Sequence, residues 1–266
     1  MDLIRAAKNQ LDFLALVDEH PHLYSGPVLK NAIRRYELCW LPFISRHQHT
    51  SGQPQILAAP LDIAWVWHVH MLAPYAYEQD CNNICHGLVD HCSLSPDQRH
   101  HGLKRAKSLW EVSFPEEPFE INVDEYPASL VTAYSSRMSY NLEEACQRQS
   151  NFFYQVSLPH YRDNRFLHDA VDRYITHLHL KKKNPHVFMV PCYDFDLIWH
   201  AHQLHPVNYK QTTTKWLGKM LNHDDSVTDR SPGSKLHLIL LQKPGKFGFL
   251  QACLLAKKEL CTGAIQ

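Results

Sequence analysis

A chain of 266 residues with 44% hydrophobic content is long enough to bury a substantial core, as one large domain or two modest ones, and such a composition argues against a disordered chain. Lysine plus arginine and aspartate plus glutamate each number 27, so no net field draws the chain to nucleic acid or to an anionic membrane. Histidine, at 20 residues, is the outlier, and it raises the questions of metal ligation and pH sensing.

In chain order, the first twenty residues are interrupted by Asp2, Arg5, Lys8 and Asp12, which fits neither a signal segment nor a membrane span. They predict an amphipathic helix with Leu3, Ala7, Leu11 and Leu14 on one face. L-K-N-A-I-R-R-Y (29–36) returns later in the chain as L-H-D-A-V-D-R-Y (167–174). D-I-A-W-V-W-H-V-H-M-L-A-P-Y-A-Y (62–77) returns as D-F-D-L-I-W-H-A-H-Q-L-H-P-V-N-Y (194–209), in one constant register without a gap. That register matches Asp62 with Asp194, Trp67 with Trp199, His68 with His200, His70 with His202, Leu72 with Leu204, Pro74 with Pro206 and Tyr77 with Tyr209. Gly87–His91 parallels Gly218–His223 with one extra residue in the second copy.

These echoes predict a mainly α chain of two related three-helix units packed as one domain over residues 1–234. Unit one runs about 27–92, unit two about 165–224, and 93–164 bridges them. Each unit holds an Arg-Tyr helix, a Trp-His-x-His helix and a helix opened by Pro74 or Pro206. The bridge reads as loop and short helix first, then as helix over Tyr126 to Ser150. H-V-F-M-V-P (186–191) reads as a short strand or an extended lead-in, and Lys181 to Lys183 as a solvated helix end. From 235 to 266 the chain is apolar in bursts broken by Lys, Pro and Gly, a divergent and loosely attached tail.

On a helix through 62–72, at about 100° per residue, Asp62 and His70 share a face about 12 Å apart, too far to meet. Apolar residues occupy nearly the whole circumference, so the helix is expected to be buried and its polar groups need partners. Antiparallel packing of the two repeated helices would pair Asp62 with His202 and Asp194 with His70. His205, three residues after His202, would join that face, making His70, His202, His205 and an Asp a possible zinc or iron set. The competing readings are helix caps for Asp62 and Asp194 and hydrogen-bonded core positions for the histidines. The structural reading leads, ahead of metal and then of proton-transfer catalysis. His68 and His200 point about 160° away from His70 and His202, so His-x-His on a helix cannot chelate. Trp67, His68, Trp199 and His200 are read as structural motif residues.

The eight cysteines, Cys39, Cys81, Cys85, Cys92, Cys146, Cys192, Cys253 and Cys261, are dispersed and fit reduced thiols in the cytosol. Cys81, Cys85, His86, His91 and Cys92 are dense, but no paired C-x-x-C occurs, and small buried hydrophobes explain them better than zinc. There is no G-x-S-x-G, Gly-rich phosphate loop or H-E-x-x-H.

A-P-L-D-I-A-W-V-W-H-V-H, Y-D-F-D-L-I-W-H-A-H-Q-L-H-P, R-R-Y-E-L-C-W-L-P, R-Q-S-N-F-F-Y-Q-V-S and L-N-H-D-D-S resemble signatures of the glycine-rich domain-containing protein family, in that family's order, over roughly residues 1–236. The resemblance implies an intracellular, mainly helical N-terminal domain without a known biochemical activity, linked in plants to development, hormone response and stress tolerance. The family's glycine-rich tail is absent from this chain, so a role that depends on it, RNA binding included, is not expected. The resulting expectation is a non-enzymatic interaction or regulatory domain with no cofactor and with protein partners, in the cytoplasm, the nucleus staying open. Nucleic acid ranks well below protein as a partner. The alternative is a metal-binding protein or metal-dependent enzyme with a zinc or iron site between the repeated helices.

Overall fold

The computed structural model describes residues 1–48, 56–125, 134–187 and 189–223. Every regular element among them is helical, as the repeat predicts. The first helix, α1 (Leu3–Asp18), starts where Asp2 accepts the amide of Arg5 at 3.0 Å, and it buries Ala6, Ala7, Leu11, Leu14 and Val17. Leu3 of the expected face is only half-buried.

Pro27 opens α2 (Pro27–Arg35), which continues through a π-helical turn over Tyr36–Trp40 into α3 (Leu41–Gln48). After 56–60 come α4 (Leu61–Met71), the first Trp-His-x-His helix, and α5 (Pro74–Cys85) with proline at its first position. The bridge contains a longer helix than its sequence suggests, α6 (Pro96–Ser113), held at its start by a capping box between Ser95 and Gln98. Gly102 in α6 is a close-approach position, since a Cβ there would stand 3.0 Å from Ala58.

The predicted helix over 126–150 is displaced. Residues 126–133 lie outside the described set, 134–141 are not helical, and α7 (Leu142–Val156) begins where Asn141 accepts the amide of Glu144. In the second copy, α8 (Asn164–Lys183) starts at the Asp163 cap and ends on Lys181 to Lys183. Described residues of 186–191 form no strand; a turn at 185–186 precedes residues without regular structure, and then comes α9 (Tyr193–Gln203), the second Trp-His-x-His helix. Pro206 then opens α10 (Pro206–Leu217). The tail over 235–266 falls outside the described residues.

α4 and α9 do not pack along each other. Both lie against α7, while α1 packs on α9 and α8, and α2 packs on α4. One buried hydrophobic cluster runs from Ala6 to Met220 and includes Trp40, Trp65, Trp67, Trp110 and Trp199. The ends of α5 and α10 correct the alignment of the two copies. His86 (φ 59°) and Gly218 (φ 81°) are the left-handed residues that close these helices, so His86 corresponds to Gly218 and the register of the repeat continues unbroken to His91 and His223.

Candidate functional site

The letters shared by the two copies make the same contacts. Arg35 donates through Nε to Asp62 at 2.7 Å, and Arg173 pairs with Asp194 at 2.5 Å. Tyr36 Oη lies 2.9 Å from His70 Nδ1, and Tyr174 Oη lies 2.9 Å from His202 Nδ1. Trp67 donates to Tyr77 Oη and Trp199 to Tyr209 Oη, each at 2.9 Å. Those hydroxyls donate onward to the carbonyls of Val89 at 2.9 Å and Leu221 at 2.8 Å. Burial raises the Tyr36 and Tyr174 phenols well above their ordinary value, so both stay protonated and donate to the imidazoles. The opposite ring nitrogens then carry hydrogen. His70 Nε2 stands 3.2 Å from Asp80, and His202 Nε2 stands 3.2 Å from Asn208 Oδ1.

Two further bonds pass between the copies. His91 donates through Nδ1 to the carbonyl of Leu204 at 2.7 Å, and His223 donates to the carbonyl of Leu72 at 2.8 Å. His91 crosses Trp67 edge-on with centroids 4.7 Å apart, and His223 crosses Trp199 at 4.8 Å. On the surface, Lys210 pairs with Glu78, its counterpart in the other copy.

The expected crossed pairs, Asp62 with His202 and Asp194 with His70, do not form. Each Asp is taken by the arginine of its own copy, because a guanidinium satisfies a buried carboxylate better than a neutral imidazole does. Neither Asp sits at an N-cap; Pro60 and Cys192 hold those positions and the carboxylates lie in the first turn. His205 falls beyond the end of α9, where Nδ1 bonds the Ala201 carbonyl at 3.0 Å and Nε2 accepts the Ser93 amide at 3.3 Å. His70, His202, His205, Asp62 and Asp194 are therefore not brought to one point. Among the described residues, the group of three or more His, Cys, Asp or Glu side chains with ligand atoms within 4.8 Å of one another is Asp196, His200 and His223. Sequence reasoning does not single out Asp196 or His223, although D-L-I-W-H places Asp196 one helical turn before His200. The Cys81 thiol is buried and pushed up to about 12, chiefly by desolvation, which suits an inert core residue.

The position of Asp196 distinguishes the copies. Its counterpart is Ala64, which with His68 and His91 lines an open cavity of about 450 Å³ between α1, α4, α6 and residues 90–96. Phe13, Leu57, Leu94 and Pro96 supply apolar walls, and Arg99 reaches in over the Phe13 ring, its guanidinium carbon 5.2 Å from the centroid. Among the described residues Arg99 forms no ion pair, whereas the nearby Asp12 is held by Arg162 at 2.6 Å. Burial lowers His68 well below its ordinary value and lowers His91 to about 4, so both rings are neutral at pH 7.

These features define an all-α protein in which one set of Arg–Asp, Tyr–His and Trp–Tyr contacts occurs twice and the two sets exchange histidine bonds. The profile of a family described as glycine-rich domain-containing protein-like matches residues 1–80 and 76–212, and the chain belongs to that family. It is 40% identical over 245 residues to glycine-rich domain-containing protein 1 of Arabidopsis thaliana, a match covering 89% of this chain and 30% of that protein. It is 41% identical over 244 residues to glycine-rich domain-containing protein 2 of the same plant, covering 89% of this chain and 31% of the relative. The chain thus spans about a third of the length of the curated relatives it matches. No solved structure matches it. No helix among the described residues is long and apolar enough to cross a membrane.

Proposed function

We propose that this chain is a non-enzymatic interaction module of the cell interior, in which the inner histidines His70 and His202 hold the fold and the cavity beside His68 receives a partner protein. The hydrophobic cluster from Ala6 to Met220 supports reading residues 1–234 as one domain of two related units. Among the described residues Cys39, Cys81, Cys85 and Cys92 form no disulfide, which supports a reducing compartment.

The observation that carries the reading is the cavity. Its volume lies within the range of about 300–1,000 Å³ usual for binding sites, and its walls are mainly apolar with a few converging polar groups. Arg99 lacks a carboxylate partner among the described residues and is partly desolvated, so a matching segment carries a large apolar side chain beside an aspartate or glutamate. The neutral His68 and His91 add no competing positive charge at pH 7. Selection of a random peptide library on the purified chain should enrich peptides with that apolar-acidic pairing. Ala64→Leu, which fills the cavity, and Arg99→Met, which removes its cation, should each weaken them at least tenfold. Absence of enrichment, or peptides indifferent to both substitutions, refutes the assignment.

A further inference from the structure

The geometry points to a divalent transition-metal site made by Asp196, His200 and His223 in the second copy, at the place where the first copy has its open cavity. Asp196 and His200 are one turn apart on α9 and present their side chains to the same side. His223 arrives from the segment after α10, and its Nε2 lies 3.6 Å from Asp196 Oδ1, as does His200 Nε2. The separation is 3.6 Å in both cases. It is close to the spacing of about 3.4 Å between two ligand atoms that each lie about 2.1 Å from a tetrahedral metal.

The outer contact of His223 is the one that a ligating histidine needs. His223 donates through Nδ1 to the Leu72 carbonyl at 2.8 Å, which orients the ring so that Nε2 faces Asp196. Trp199 and Phe152 pack on the two imidazoles, with Trp199 4.8 Å from His223 and Phe152 4.4 Å from His200, so the site is walled by aromatic rings. A further imidazole, His177, is fully buried against Phe195 and Trp199, and neither of its nitrogens is hydrogen-bonded among the described residues. Its charge neighbours include Asp196 and His223. Two nitrogens and one carboxylate oxygen suit zinc, iron or manganese rather than calcium or magnesium, whose ligands are oxygens. Ala64 removes the carboxylate from the first copy, so one ion per chain is expected.

The test uses the full chain without an affinity tag, stripped with a chelator and then titrated with zinc. The wild type should take up one equivalent at micromolar affinity or tighter. Asp196→Ala, which copies the residue the fold already accepts at Ala64, should keep its helical circular-dichroism signal and lose at least tenfold in affinity. Long-range ¹H–¹⁵N spectra of wild-type histidines provide a readout that needs no variant: zinc should move the His200 and His223 ring nitrogens and leave His68 and His91 in place. Uptake below about 0.2 equivalents, undiminished affinity in Asp196→Ala, or shifts confined to other histidines overturns the site.

Discussion

His91 gives its Nδ1 hydrogen to the carbonyl of Leu204, and His223, its counterpart in the second copy, gives its own to the carbonyl of Leu72, the counterpart of Leu204. Leu72 and Leu204 end the two Trp-His-x-His helices, so each histidine satisfies a helix-end carbonyl in the other copy. His91→Phe keeps the ring against Trp67 but strands the Leu204 carbonyl, and the expected loss is about 1–3 kcal/mol in urea unfolding. His91→Gln, whose amide can still donate, should lose less than His91→Phe.

The two arginine–aspartate pairs have the same letters but different surroundings. Arg35 and Asp62 are 0% and 1% exposed, and Arg35 also donates to Glu117 and to the carbonyls of Pro118 and Phe119. Arg173 and Asp194 are 27% and 16% exposed. Removing one partner of a buried pair leaves an uncompensated charge, so Arg35→Met should cost about 3–5 kcal/mol. Arg173→Met should cost about 1 kcal/mol, because water reaches the carboxylate left behind. Paired denaturation curves measure the difference.

Each tyrosine after the proline turn is a relay, accepting from a tryptophan and donating to a carbonyl. Tyr77→Phe and Tyr209→Phe each leave a buried indole N–H and a carbonyl without their partner, and each should destabilise by about 2 kcal/mol. Equal costs are expected because the bonds match: 2.9 Å and 2.9 Å at Tyr77, 2.9 Å and 2.8 Å at Tyr209.

Much of this is legible in the sequence, and the limits have physical causes. The repeated Arg-Tyr and Trp-His-x-His letters locate the helices that carry every shared contact. They do not say which letters touch. Helical phase suggests a partner for Asp62 across the repeat, whereas its partner is Arg35, 27 residues before it in the same copy. Phase orders residues around one axis and carries no information on which neighbour faces them. The bridge helix α6 is longer than its letters suggest because its length depends on tertiary contacts, with Gly102 against Ala58 and Trp110 in the core, rather than on a strong apolar period. The cavity and the Asp196 cluster are hidden for the opposite reason: identities draw attention, and the informative position is the one where Ala64 replaces Asp196.

Acid should weaken the fold in a defined window. Burial brings the folded-state pKa of His91 down from 6.5 to about 4, so between these values the unfolded chain binds a proton that the folded chain refuses. Stability is complete above about pH 6.5, where both states are neutral, and is lost as pH falls towards 4, at up to about 1.4 kcal/mol per pH unit for this one group. Urea midpoints should therefore be level from pH 8 to about 7 and fall below 6.5, and His91→Gln should fall less steeply, by about one proton.

On the proposed function the two histidines of the Trp-His-x-His element do different work, the inner one holding the fold and the outer one facing a site. Replacing each with phenylalanine in the first copy measures this directly. His70→Phe removes the acceptor of Tyr36 and the ring beside Asp80, and unfolding should show a loss of about 2–4 kcal/mol. His68 stacks on Phe13 and Trp65 and its buried Nε2 has no hydrogen-bond partner among the described residues, so His68→Phe should stay within about 1 kcal/mol of wild type or exceed it. Equal losses for the two substitutions, or a greater loss for His68→Phe, would contradict the division.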